Sequence, residues 1–229
     1  MTTLIPHLEL NTGPDPKGTV IWLHGLGADC WDFVPIVKEL AMPSDLPLRF
    51  IFPQAPIRPI TINGGQEMPG WYDISMADFA RKADDAGVRE SQHAIDALIA
   101  REIARGMPSN QIVLAGFSQG GAIALQSGLR HKQPLAGILA LSTYLTLADS
   151  LGAEKTIANA HIPILMAHGS QDPVVPLALA RTSKAQLESH GYRLEWREYP
   201  MQHAVCADEI GDITDWLTAR LGSPILVAA

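Results

Sequence analysis

Short apolar runs alternate with longer amphipathic stretches along this chain, and that order leaves few folds open. Thr19–Leu23 (TVIWL), Leu48–Phe52 (LRFIF), Ile112–Phe117 (IVLAGF), Gly137–Leu141 (GILAL) and Ile162–Ala167 (IPILMA) are apolar almost throughout. A strand needs that character when both faces of its sheet are covered. Arg193–Tyr199 (RLEWREY) alternates polar with apolar residues, as a half-covered strand near a sheet edge does. Helical patterns lie between: Asp32–Ala41 with Pro35 in its first turn, Asp85–Arg105 with Gly106 and Pro108 as its stop, Gln119–Leu129, Pro176–His190 and Asp208–Leu221. Strands alternating with helices predict an α/β fold, a mostly parallel central sheet with helices on both faces. No internal repeat or low-complexity linker interrupts the pattern, so residues 1–229 are expected to form one domain. The longest irregular stretch is Pro53–Asp84, and a loop of that length inside a compact domain is usually functional.

Composition narrows the classes of function. Hydrophobic residues make up 47% of the chain and charged residues 18%, enough apolar surface for a sizeable core. The net charge is -7 and there is no Lys/Arg run, which argues against nucleic acid as a partner. The two cysteines, Cys30 and Cys206, do not form a disulfide framework and read as free thiols of a reducing compartment. Met1–Leu10 lacks the basic and apolar regions of a signal peptide, and no apolar run reaches the ~18 residues of a membrane span. A cytoplasmic location is the resulting expectation.

The chemistry is carried by Gly116-Phe117-Ser118-Gln119-Gly120, a G-x-S-x-G sequence. An apolar strand runs into it, and a segment rich in small residues follows (Gly120, Gly121, Ala122, Ala124). That is the setting of a nucleophile elbow, in which a serine sits on a sharp strand-to-helix turn and the flanking glycines relieve the clash. The competing reading is an ordinary strand–helix turn carrying a polar serine.

A serine hydroxyl needs a base, and in this arrangement the acid and then the base follow the nucleophile along the chain. His131 ends the helix after the elbow, His161 and His168 bound a strand, and His190 precedes a helix-ending glycine. His203 alone falls in a loop after the last strand. Asp172 is the only aspartate between Asp149 and Asp208, just past a strand end where such sheets place functional groups. Taken by itself, Asp172 before Pro173 would serve equally well as a helix N-cap.

Two backbone N–H groups are expected at the developing oxyanion: that of Gln119, after the nucleophile, and that of Leu26 in the glycine loop His24-Gly25-Leu26-Gly27. The alternative for this loop is a plain glycine turn. A dinucleotide loop is disfavoured because Cys30 stands where the third glycine of G-x-G-x-x-G would be. Neither a phosphate loop nor an H-E-x-x-H metal motif occurs. Ile57, Ile60, Ile62, Met68, Trp71, Tyr72 and Met76 fall in the irregular stretch. They either line an acyl groove or anchor the loop to the core; Trp71, Ile62 and Met68, with Val175, are the expected substrate contacts.

These motifs resemble one family. His24-Gly25-Leu26-Gly27-Ala28-Asp29 with Phe33-Val34-Pro35, Phe52-Pro53-Gln54-Ala55-Pro56, Thr61-Ile62-Asn63-Gly64-Gly65, Trp71-Tyr72-Asp73, the elbow, and His168-Gly169 with Asp172-Pro173-Val174-Val175-Pro176 look like the bacterial carboxylesterase and acyl-protein thioesterase group, also called phospholipase/carboxylesterase. The resemblance implies an α/β-hydrolase fold and a serine esterase acting without a cofactor or metal. It places nucleophile, acid and base on Ser118, Asp172 and His203, and the oxyanion donors on Leu26 and Gln119. It implies short- to medium-chain carboxylic esters or thioesters as substrates, with acyl-protein thioesterase or lysophospholipase-like activity as the alternative and a non-catalytic binding protein of the same fold as the remote one. A homodimer is also implied. The base loop departs from the family pattern: Gln202 stands where a small residue is usual, and Ala204 removes a hydroxyl beside the base.

Overall fold

The structure is a computed structural model, and it describes residues 4–75 and 84–222. In chain order the elements are β1 (His7–Asn11), β2 (Gly18–Leu23), α1 (Ile36–Glu39), β3 (Leu48–Pro53), β4 (Ile57–Ile60), β5 (Gln66–Pro69), α2 (Asp85–Ala104), β6 (Ile112–Phe117), α3 (Gln119–Arg130), β7 (Gly137–Leu141), α4 (Ala148–Glu154), β8 (Ile164–Gly169), α5 (Leu177–Ser189), β9 (Leu194–Tyr199) and α6 (Ala207–Leu221). Seven strands form the main sheet in the order β1-β3-β2-β6-β7-β8-β9. Only β1 runs antiparallel to its neighbour; every other pair is parallel. This is the α/β-hydrolase arrangement, with β9 at the edge its alternating sequence predicted.

Strand periodicity explains the two cores. In β2, Ile21 and Leu23 face one cluster and Val20 and Trp22 the other. In β6, Ile112 and Leu114 divide from Val113 and Ala115 in the same way. The first cluster is capped by Val88, Ile95, Leu98 and Ile99 of α2 and by α3, the second by Ile36 and Val37 of α1 and Ile213, Trp216 and Leu217 of α6. These central strands are buried on both faces, which is why their sequences are continuously apolar.

Four segments differ from the sequence reading. The helix expected over Asp32–Ala41 shrinks to Ile36–Glu39, with Pro35 as its N-cap. The residues before it form successive tight turns (Asp32 N–H to Asp29 O, Val34 N–H to Trp31 O), and Pro35 has no N–H to continue a helical ladder. The stretch Pro53–Asp84 is not irregular throughout: β4 and β5 pair as an antiparallel hairpin, with Gly64 and Gly65 at positive φ in the turn. Its two prolines, Pro59 and Pro69, hide the alternation of a strand. β1 and α4 carry no run strong enough to mark them in the sequence. Met76 lies outside the described residues.

Candidate active site

The carboxyl ends of β6 and β8 and the loop after β9 meet at one end of the sheet. At the end of β6 the chain reverses into α3 through Ser118, whose φ of 54° and ψ of -121° are strained for a non-glycine residue. Ser118 N–H donates to Leu141 O (2.8 Å), and Thr143 Oγ1 donates to Ser118 O (2.6 Å), so the turn is held from the neighbouring strand. The glycines are sterically required. A Cβ on Gly116 would lie 2.3 Å from Gly120 O, and one on Gly120 2.4 Å from Leu23 O. No real side chain tolerates such contacts, so β2, β6 and α3 approach as closely as they do only with glycine there.

The acid loop leaves β8. Asp172 Oδ1 accepts the N–H groups of Val174 (2.8 Å) and Val175 (2.9 Å), closing a turn inside the acid loop; it caps no helix, since α5 begins only at Leu177 with Pro176 as its N-cap. The other oxygen, Oδ2, lies 2.7 Å from His203 Nδ1. The Asp172 side chain is fully buried, while that of His203 is 16% exposed. A carboxylate so placed accepts a hydrogen bond from Nδ1–H, fixing the tautomer that leaves Nε2 free to act as a base. The base loop is tied to the acid loop by Gln171 N–H to Met201 O (3.0 Å) and Ser170 N–H to Tyr199 O (2.8 Å). Phe117 packs on the imidazole with ring centroids 4.6 Å apart. The two unusual loop residues, Gln202 and Ala204, are exposed.

Ser118 and His203 line one cleft of about 380 Å³, with Gly25, Leu26, Ile62, Ile74, Phe117, Gln119, Tyr144 and Val175 among its other walls. No direct hydrogen bond joins Ser118 Oγ to His203 Nε2 among the described residues. That contact is often long in a free enzyme and closes with substrate bound. A larger hollow of about 630 Å³ lies at the opposite end of the sheet, around Lys17, Leu46, Met107 and Leu221; it holds none of the nucleophile, acid and base. Beside the acid, His168 is wholly buried, its Nε2 2.8 Å from Val175 O and 3.5 Å from Asp172 Oδ2. Burial pushes its pKa down, keeping the ring neutral next to the carboxylate.

Of the expected oxyanion donors, Leu26 and Gln119 both line the cleft. The N–H groups of adjacent residues are occupied, Gly27 by Pro69 O and Ser118 by Leu141 O, whereas those of Leu26 and Gln119 have no acceptor among the described residues. The Gln119 side chain is turned inward. Its Oε1 accepts Trp71 N–H (2.7 Å) and its Nε2 donates to Tyr72 O (2.7 Å).

The expected substrate contacts separate. Ile62 and Val175 line the cleft. Trp71 does not: it is 0% exposed, its indole N–H donates to His24 O (2.8 Å), and Ser91 Oγ donates to its carbonyl. Trp71 is a support beneath the glycine loop, which explains its place in the motif without substrate contact. Met68 is also absent from the cleft wall; its sulfur accepts from Asn63 Nδ2 (3.3 Å) in the β4–β5 hairpin. Ile57, which is exposed, and the buried Ile60 and Tyr72 do not line it either. The sequence reading missed Phe117, Tyr144 and Ile74 as cleft residues. Phe117 alone carried a signal, as the variable residue of the elbow. Among the described residues no group of three His, Cys, Asp or Glu side chains could hold a metal ion, and no helix is long and apolar enough to cross a membrane.

Comparison with known proteins identifies the family and the fold. A family described as phospholipase/carboxylesterase matches residues 10–221. Acyl-protein thioesterase 1 of Neurospora crassa is 43% identical over 227 residues, 95% of this chain and 91% of the relative. The crystal structure of Arabidopsis thaliana SOBER1 superposes with a TM-score of 0.84 at 29% identity, covering 89% of this chain and 99% of that one. That of Zea mays acyl-protein thioesterase 2 gives 0.83 at 27%, covering 94% and 99%. The curated relative named is fungal, so the likeness is to the family at large and not to its bacterial members in particular.

Proposed function

The chain belongs to the phospholipase/carboxylesterase family of hydrolases, and on that premise we propose that it is a serine hydrolase that cleaves acyl thioesters on proteins and, by the same route, simple carboxylic esters. The observation that carries the proposal is the 2.7 Å contact of Asp172 Oδ2 with His203 Nδ1 at a cleft that also holds Ser118 on its strained elbow. His203 Nε2 takes the Ser118 proton as Oγ adds to the acyl carbonyl. The Leu26 and Gln119 N–H groups receive the oxyanion, and the imidazolium gives its proton to the leaving thiol or alcohol. Water, activated by the same imidazole, then releases the acid and frees Ser118.

The weight on thioesters comes from the relatives, which at 36–43% identity are named acyl-protein thioesterases. The family resemblance of the sequence had put short- to medium-chain carboxylic esters first, with acyl-protein thioesterase activity as the alternative. Both substrates pass through the same acyl-serine, so the difference lies in the walls of the cleft. Ile62, Ile74 and Val175 offer an apolar side to an acyl chain, and the rim carries the exposed Val174.

The test is a matched pair: one peptide acylated on cysteine and its counterpart acylated on serine, with the acyl length varied. A kcat/KM favouring the S-acyl peptide supports the proposal. Preference for the O-acyl peptide at every length overturns the thioesterase assignment and returns the enzyme to the carboxylesterases.

A further inference from the structure

We propose that His24 is a positioning residue of the oxyanion hole, its imidazole fixing the peptide plane that carries the Leu26 N–H. The inference rests on the serine-hydrolase reading above and assigns the first residue of the glycine loop a defined task.

The hydrogen bonds of His24 settle its tautomer. Ala55 N–H donates to His24 Nε2 (3.1 Å), so Nε2 is the acceptor and the proton sits on Nδ1. Nδ1 then donates to the carbonyl of the next residue, Gly25 O (2.7 Å). The same carbonyl accepts Ala28 N–H (3.3 Å). In a trans peptide the C=O and N–H point in opposite directions, and no peptide bond among the described residues is cis. Holding Gly25 O therefore sets the direction of the Leu26 N–H, which belongs to the same plane. That plane is beside the nucleophile: a Cβ on Gly25 would stand 3.6 Å from Ser118 Cβ.

The other end of His24 is held as well. Its carbonyl accepts the Trp71 indole N–H (2.8 Å), and the two rings pack with centroids 5.3 Å apart. Trp71 is held in turn by the Gln119 side chain through its N–H. The two oxyanion donors, far apart in sequence, are thereby joined through Gln119, Trp71 and His24. The ring is 2% exposed, and burial lowers its pKa, so it stays neutral and keeps one donor and one acceptor in place. A hydrogen bond to Gly25 O also polarises the peptide and strengthens its N–H as a donor.

Two substitutions separate the nitrogens. In His24→Asn the amide NH2 occupies the place of Nδ1 and can still donate to Gly25 O, while the acceptor for Ala55 is lost. In His24→Gln the amide oxygen occupies the place of Nε2 and can still accept from Ala55, while the donor to Gly25 is lost. We expect His24→Gln to lose about 10²-fold or more in kcat on an aryl ester, the scale of losing one oxyanion donor. KM should be unchanged, and His24→Asn should retain clearly more kcat than His24→Gln. Affinity for a trifluoromethyl ketone, which forms an oxyanion on the serine, should fall in parallel with kcat. Equal or greater kcat in His24→Gln than in His24→Asn overturns the inference. If neither variant melts cooperatively, Trp71→Phe replaces them. A fall of about tenfold in kcat and in ketone affinity at constant KM supports the chain of contacts, and unchanged values overturn it. Wild-type labelling by a fluorophosphonate separates the two levels. An unlabelled Ser118 removes the serine-hydrolase reading and this inference with it. A labelled Ser118 with the variants in the wrong order removes this inference alone.

Discussion

Gly169, the last residue of β8, is where the acid strand touches the base loop, and Gly169→Ala should damage catalysis more than stability. The added Cβ would lie 2.3 Å from Gln202 O and 2.5 Å from Met201 O, backbone atoms of the loop that carries His203. Neither atom is the end of a flexible side chain, so the loop or the strand must move. Restoring an ordinary contact of ~3.2 Å requires a displacement of about 1 Å, and an error of that size in a reacting group costs about 10²-fold in rate. Overpacking of this kind costs roughly 1–3 kcal/mol in stability. The movement shifts His203 relative to Asp172, whose own N–H donates to Gly169 O (3.3 Å) at the end of β8. Steady-state hydrolysis of a short aryl ester, together with the rate of fluorophosphonate capture by Ser118, reads the effect. Both should fall by about 10²-fold while urea unfolding still shows one cooperative transition. A variant within threefold of wild type in both assays would refute the claim that loop position sets the reactivity of Ser118.

Other consequences follow from the same contacts. Asp172→Asn should lower kcat by about 10⁴-fold, the cost of presenting the wrong tautomer to the nucleophile, with KM little changed; stopped-flow and steady-state assays on one ester decide it. Gly120→Ala should yield little folded protein, because its Cβ would meet Leu23 O at 2.4 Å and His24 O at 2.5 Å, and circular dichroism of the purified variant checks this. Glu209 is wholly buried, and burial, only partly offset by the Cys206 N–H beside its carboxylate, pushes its pKa up to about 8. The folded state therefore binds a proton that the unfolded chain has lost above its pKa of 4.5, so stability is full below pH 4.5 and declines as pH rises toward 8. Between pH 4.5 and 7 the decline is on the order of 3 kcal/mol. Glu209→Gln should be more stable than wild type at pH 7.5 and nearly equal at pH 5, by thermal melts at both.

Legibility in the sequence tracked how local each physical cause is. The buried strands were readable because covering both faces forces every residue to be apolar, as in β6 and β7. The elbow was readable because its steric demand falls on residues 116, 118 and 120, all within one turn. Asp172 and His203 were reached by position relative to strand ends and by chain order, which substitutes for distance in a sheet of this topology. The β4–β5 hairpin escaped because prolines break its alternation. Trp71 was misplaced for a deeper reason. An apolar residue in a long loop reads the same whether it faces a ligand or the core, and what buries Trp71 is a carbonyl 47 residues earlier, at His24. The short α1 likewise depends on turn bonds around Asp29 and Trp31 that a periodicity argument does not see.

The account stands on His203 activating Ser118. The most direct measurement is mass spectrometry of the chain after exposure to a fluorophosphonate, with the modified peptide identified, in wild type, Ser118→Ala and His203→Ala. The account predicts one adduct, on Ser118 in the wild type, none in Ser118→Ala, and capture slowed at least about 10³-fold in His203→Ala. An adduct on another residue, or capture at wild-type rate without the imidazole, would contradict it.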